Sequence, residues 1–287
     1  VAVANWFSRL QGRALGIAML GPVIGGPFVV LVAVMDESLG WRTALFILGI
    51  GLWIVGIPLA LVARSDPYSY GYLPDGDPID PATDHFMESL EQENTGFTVQ
   101  EALKTRDFWC LLFLFAAFFI GVSGLMVHLI PLLQDLDYSA TEAAGVVGLV
   151  FLLSGIGRVG AGTLADMIGY RKIILFLIFS ELISLLLLVR IGPSQPWLLG
   201  VFSLLFGIGF GGTIPLRPFL IMQMFGSRSF GAIQGMVQGG AIGAGMLGPV
   251  LYGWVFDHTN SYDIAIYASI LTIIAGIPSL YLLKEHR

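Results

Sequence analysis

Eight apolar stretches, each long enough to cross a bilayer, follow one another along the chain with only short polar breaks between them. They occupy residues 14–35, 42–63, 107–134, 141–165, 172–190, 197–223, 230–255 and 262–283. A helix needs about 20 apolar residues to cross roughly 30 Å of hydrocarbon, and a water-soluble core gives no reason for so many full-length runs. With 56% hydrophobic residues, 12% charged and a mean hydropathy of +0.82, a soluble fold is excluded. A membrane barrel alternates apolar and polar side chains, whereas these runs are apolar on every face. The expected fold class is therefore an all-α membrane protein, a bundle of eight transmembrane helices.

Orientation follows from the 14 basic residues, because Lys and Arg in short loops stay on the cytoplasmic side. One set of loops carries ten of them: Arg9, Arg13, Arg64, Lys104, Arg106, Arg171, Lys172, Arg228, Lys284 and Arg287. The other set carries only Arg42 and Arg190, so both ends of the chain are expected in the cytoplasm. Trp6, Trp41, Trp109, Trp197 and Trp254 fall near span ends as interfacial anchors, while Trp53 does not. The net charge of −6 comes entirely from residues 64–106, which hold nine acids and three bases. Their Pro, Gly and Asp content is that of a solvated cytoplasmic linker between two bundles. Thr98 and Glu101 near its end have capping-box spacing, which predicts a short helix along the membrane surface. Cys110 has no partner for a disulfide, and His85, His128, His258 and His286 lack ligand spacing, so neither a metal nor a cofactor is expected.

The two ends of the chain resemble each other. A shift of about 219 residues lays Arg9, Gly12 and Gly16 on Arg228, Gly231 and Gly235. Gly56-Ile57-Pro58 recurs as Gly276-Ile277-Pro278, and Gly21-Pro22 has a looser counterpart in Gly248-Pro249. Parallel repeats of this kind build transporters with a solute site between two halves. Two spans before the linker that match the last two imply four more upstream. Residues 1–63 would then be the remnant of an N-terminal bundle, 64–106 the linker and 107–287 a complete six-helix bundle. In the closing repeat, Gly231, Gly235, Gly239 and Gly243 form a small-residue stripe, as do Ala241 with Gly245 and Ala244 with Gly248. Such stripes let helix backbones approach closely in lipid.

Between the fourth and fifth spans, Asp166 and the Arg171-Lys172 pair flank a turn eased by Gly169. There they can pair with each other or with a neighbouring helix N-terminus. The run Gly162-Thr163-Leu164-Ala165-Asp166-Met167-Ile168-Gly169-Tyr170-Arg171-Lys172 resembles the signature loop between helices eight and nine of the major facilitator superfamily. Gly21-Pro22-Val23-Ile24-Gly25-Gly26 resembles the glycine-proline packing motif of that family's helix five, best known from proton-coupled antiporters. The resemblance implies twelve helices in two halves of six, of which helices five to twelve are present here. It also implies that the Asp166 loop is a gate latch favouring the outward-open state.

Charges inside the spans mark candidate solute contacts. An arginine near the bilayer centre costs about 2.5–3.5 kcal/mol on insertion scales, so Arg158 needs compensation. It can snorkel to the inner surface, or face a cavity where its planar fork grips a carboxylate. The monocarboxylate transporter and oxalate:formate antiporter branches carry an arginine at a similar place in helix eight, held to bind the substrate carboxylate. Arg158 resembles it. Ser154 stands where monocarboxylate carriers often place an aspartate, and the lysine that oxalate carriers add in helix eleven is missing. Arg217, between Pro215 and Pro218, is the second intramembrane cation. His128, and Gln234 with Gln238 one turn apart, are further candidates for solute contact or for helix-to-helix hydrogen bonds. Glu181 is the carboxylate deepest in a span and a possible proton site.

These features point to a secondary active transporter of a small organic anion, a mono- or dicarboxylate, coupled to protons or a counter-anion. The expected setting is the inner (plasma) membrane, with a monomeric full-length protein and the lipid bilayer as its partner. A drug–proton antiporter of the same fold is the alternative, and a non-transporting receptor or assembly subunit is a third class. A membrane enzyme is not expected, since the sequence shows no nucleophile or metal constellation, and no nucleic-acid partner is expected.

Overall fold

The computed structural model describes residues 2–24, 32, 35, 38–64, 67, 70–76, 96–192 and 195–283. Its helices are α1 (Ala2–Trp6), α2 (Gln11–Ala18), α3 (Gly21–Ile24), α4 (Trp41–Val62), α5 (Val99–Lys104) and α6 (Arg106–Asp135). They continue with α7 (Ala140–Ile168), α8 (Tyr170–Leu188), α9 (Trp197–Phe225), α10 (Phe230–Gly245), α11 (Leu247–Thr259) and α12 (Asp263–Leu282). The described residues form no β-strand, and an isolated antiparallel bridge joins Gly96 to Gly226. In hydrocarbon each backbone group must be satisfied within its own segment, which is why apolar runs of this length become helices. Among the described residues six helical stretches are long and apolar enough to cross a membrane: α4, α6, α7, α9, α10 with α11, and α12.

Helix ends follow local chemistry. Thr98 Oγ1 accepts from the Glu101 amide at 3.3 Å and the Glu101 carboxylate accepts from the Thr98 amide at 2.8 Å, closing the capping box that starts α5. Ser139 and Glu142 build the same device at the start of α7. α7 stops at Gly169, whose φ of +88° suits glycine, and α8 begins directly after it.

Two predicted spans are not continuous helices. In each, the break falls three residues before a proline: at Met19, before Pro22, and at Met246, before Pro249. Proline lacks an N–H and its ring presses on the carbonyl four residues back, so the ladder is interrupted there. Residues 25–31, 33 and 34 of the first of these spans, which include Gly25 and Gly26, lie outside the described residues.

The core lies between α6, α7, α8, α9, α10, α11 and α12 and is filled mainly by Leu, Ile and Phe. Glycine sets the helix spacing, because packing rather than water exclusion drives association in lipid. A Cβ on Gly157 would stand 2.6 Å from the Ile208 carbonyl oxygen, and one on Gly207 2.8 Å from that of Val150, so α7 and α9 meet backbone to backbone. The Gly235, Gly239 and Gly243 stripe has open space where each Cβ would stand, so it packs on no described helix. The face that packs on α6 carries Gly240, Gly245 and Gly248 instead, against Leu112, Phe119 and Ile120. α4 contributes only Ala44 to the buried set.

Candidate functional site

Three helices converge where α2 breaks. The amide of Val23 turns back to Leu20 at 2.9 Å, and the carbonyl of Met19 receives Nη1 of Arg158 at 2.5 Å. Arg158 is 2% exposed, so it neither faces the acyl chains nor reaches water. It is locked at this crossing by glycines on both sides. Gly157 packs on α9, and a Cβ on Gly16 of α2 would stand 2.5 Å from the Arg158 carbonyl oxygen. Nε of Arg158 is buried without a hydrogen-bond partner. Among the described residues no carboxylate lies within ion-pair distance of it.

One turn further along α7, the same pair of helices meets again at Gly12 and Gly162. A Cβ on Gly162 would overlap the Gly12 carbonyl. That contact brings Asp166 onto the first turn of α2, where its two oxygens accept from the Gly12 and Arg13 amides, each at 2.9 Å. These amides have no partner within their own helix, and the positive end of the helix dipole favours a carboxylate there. Of the two pairings open to the loop, Asp166 adopts the one with a helix N-terminus. Arg171 donates instead to the Leu283 carbonyl at 2.6 Å, beside Arg106, which donates to that of Leu282 at 2.5 Å. Lys172 is exposed.

The remaining candidates lie apart. Arg217 on α9 is 8% exposed, its guanidinium lies 5.1 Å from the centre of the Phe115 ring on α6, and its Nε has no hydrogen-bond partner. His128 ties α6 to α11 and α12. Its Nε2 donates to the Pro249 carbonyl at 3.0 Å, which leaves Nδ1 to accept from the Tyr262 hydroxyl at 3.3 Å. Its ring also stacks on Tyr252. Gln234 donates to Gln238 at 3.3 Å. Glu181 is fully buried against Gly209 of α9, with both carboxyl oxygens lacking a hydrogen-bond partner. Gly21 approaches no described atom within 4 Å of where its Cβ would stand, and Pro22 is exposed. Among the described residues no hydrogen bond joins Arg158, Arg217 and His128 to one another.

Two participants were not singled out from the sequence. Ser123 donates to the Gly245 carbonyl, four residues before Pro249, and so serves the break in the last repeat as Arg158 serves the break in the first. Asp75 binds the turn before α2. Its signal was the Pro74-Asp75-Gly76 turn signature.

A family model described as the Major Facilitator Superfamily matches residues 1–239 and, again, 132–287. The chain belongs to the major facilitator superfamily. Monocarboxylate transporter 12 of Rattus norvegicus is 29% identical over 309 residues, covering 96% of this chain and 62% of the relative. The uncharacterized MFS-type transporter YcxA of Bacillus subtilis is 26% identical over 295 residues, covering 94% of this chain and 64% of the relative. Monocarboxylate transporter 2 of Mesocricetus auratus is 24% identical over 285 residues, covering 96% and 58%. The chain spans about three fifths of the length of these curated relatives. It is a multi-pass membrane protein of that superfamily, and these relatives are named as transporters.

Proposed function

We propose that this chain forms part of a carrier for a small organic anion, a mono- or dicarboxylate, working by alternating access and coupled to protons or a counter-anion. The observation that carries the reading is Arg158: buried among three helices, bonded through one nitrogen to a carbonyl, and with no described carboxylate to neutralise it. A guanidinium in that state is stabilised by an anion that takes its remaining donors, and the carboxylate's own desolvation cost is offset in the same contact. Arg217, His128, Gln234 and Gln238 are assigned to the wall of the solute path, and Glu181 to a proton-carrying role. The names of the monocarboxylate transporter relatives agree with a carboxylate solute.

Asp166 with Gly12 and Arg13, packed through Gly162, is the latch in this reading. Gly169, Arg171 and Lys172 shape its loop, and Gly21 with Pro22 sets the break that Arg158 serves. Release of Asp166 lets α2 swing away from α7 and opens the cytoplasmic side. Both ends of the chain are placed in the cytoplasm and the protein in the plasma membrane, on the strength of the basic loops.

The test is uptake of a radiolabelled small carboxylate into proteoliposomes containing the whole protein. Arg158→Ala should abolish uptake, and Arg158→Lys should restore little of it, since an ammonium cannot serve Met19 and a carboxylate with the same planar fork. Full uptake by Arg158→Ala, in a protein shown to be folded, removes Arg158 from the site.

A further inference from the structure

Two aspartates from distant parts of the chain hold the same short stretch of backbone. Asp166 takes the amides of Gly12 and Arg13, and just upstream Asp75 Oδ2 takes those of Ser8 at 3.2 Å and Arg9 at 2.8 Å. Arg9 Nε lies 3.6 Å from the same oxygen, and the Asp75 side chain is only 6% exposed although Arg9 itself is 69% exposed. The described opening of the linker that Asp75 belongs to is folded against α1: Trp6 Nε1 donates to the Arg64 carbonyl at 3.1 Å, and the Arg64 guanidinium lies 5.1 Å from the centre of the Tyr70 ring. Asp75 reaches the turn from a left-handed backbone conformation, φ +65°, which aspartate tolerates better than most residues.

The geometry has a directional consequence. Asp166 can bind two amides at once only if the chain enters α2 at a fixed angle, and the residues that fix that angle are the ones Asp75 holds. We propose that Asp75 is a positioning residue of the gate: it presents the first turn of α2 to Asp166, so that the linker sets the balance between latched and released states. The inference rests on the latch reading given above. Two holds on one turn reinforce each other, because each fixes backbone that the other would otherwise have to order. It also gives the linker a means of reporting its own conformation to the solute pathway.

The experiment measures the distance distribution between spin labels on cysteines replacing Leu10 and Ile168, both exposed, in the whole protein in lipid nanodiscs with Cys110→Ser. Asp166→Ala should enlarge the released population. Asp75→Ala should do the same, raising the released-to-latched ratio about fivefold or more. Asp75→Asn, which keeps an acceptor for the Ser8 and Arg9 amides, should give a smaller rise. If Asp166→Ala shifts the distribution and neither Asp75 variant does, the inference is overturned and the latch stands. If Asp166→Ala shifts nothing, the latch falls and the inference with it. A lower melting temperature in the Asp75 variants without a change in the ratio makes Asp75 merely structural and overturns the inference too. Should Asp75→Ala fail to fold, Asp75→Asn decides by the same ratio.

Discussion

Replacing Gly162 with alanine, and separately Gly160, isolates the close approach of α2 and α7 from the helix that carries it. A Cβ at Gly162 would stand 2.7 Å from the Gly12 carbonyl carbon and 3.4 Å from the Arg13 nitrogen, and would overlap the Gly12 oxygen. These are backbone atoms that cannot rotate aside, so α2 must retreat by roughly 1 Å to reach an ordinary carbon contact of about 3.5–4.0 Å. That displacement stretches both 2.9 Å bonds to Asp166 beyond hydrogen-bonding range. Each bond to a charged group contributes about 1.5–3 kcal/mol, so their loss costs about 3–6 kcal/mol. The alanine also gains about 1 kcal/mol of helix stability, but α7 is helical in the latched and released states alike, so that gain leaves their balance unchanged. A loss of about 3 kcal/mol or more lowers the latched-to-released ratio by more than about 30-fold. At Gly160 nothing lies within 4 Å of the new Cβ, so only the helix gain applies. Amide hydrogen exchange at Gly12 and Arg13 reads the difference directly, since Asp166 is what protects them. Exchange should quicken by about 30-fold or more in Gly162→Ala and stay level or slow in Gly160→Ala. Equal protection in the two variants would refute the dependence of the latch on close approach.

Other expectations follow from the caps. Glu101 is held below its usual value of 4.5, first by the backbone hydrogen bond from Thr98 and then by its side chain. A lowered carboxylate stabilises the fold above its unfolded value and loses that contribution as pH falls through the lowered one. Exchange across residues 99–104 should therefore rise only in acid below 4.5, whereas Thr98→Ala should raise it at neutral pH as well. Ser123→Ala leaves the Gly245 carbonyl without its side-chain donor and should cost about 1–3 kcal/mol, seen as a lower melting temperature in detergent. An unchanged midpoint would mean that another donor takes over.

Local rules carried the sequence reading where they acted within one segment. Hydropathy gave the helices, and Thr98 with Glu101 announced its capping box, because both depend on neighbours a few residues apart. The Asp166 loop was legible as an anionic corner with two outlets, but which outlet it takes depends on α2, more than 150 residues away in sequence. Gly21-Pro22 and Gly248-Pro249 were visible as pairs, yet reading each span as one apolar run hid the breaks that proline imposes. Asp75 was lost in the linker's composition, since acidity and prolines describe a solvated chain equally well when no contact is known. Of the small-residue rows on this span, the one through Gly245 and Gly248 meets α6 and the one through Gly235, Gly239 and Gly243 meets no described helix, because spacing names a face but not the helix opposite it.

The foot of α12 is gripped by two arginines, Arg106 at the start of α6 and Arg171 from the Asp166 loop, on adjacent carbonyls. Motion in either would tug on the same point. A small fluorophore at Tyr281, which is 68% exposed one residue before that point, would thus act as a strain gauge for loop and linker together without touching the solute path.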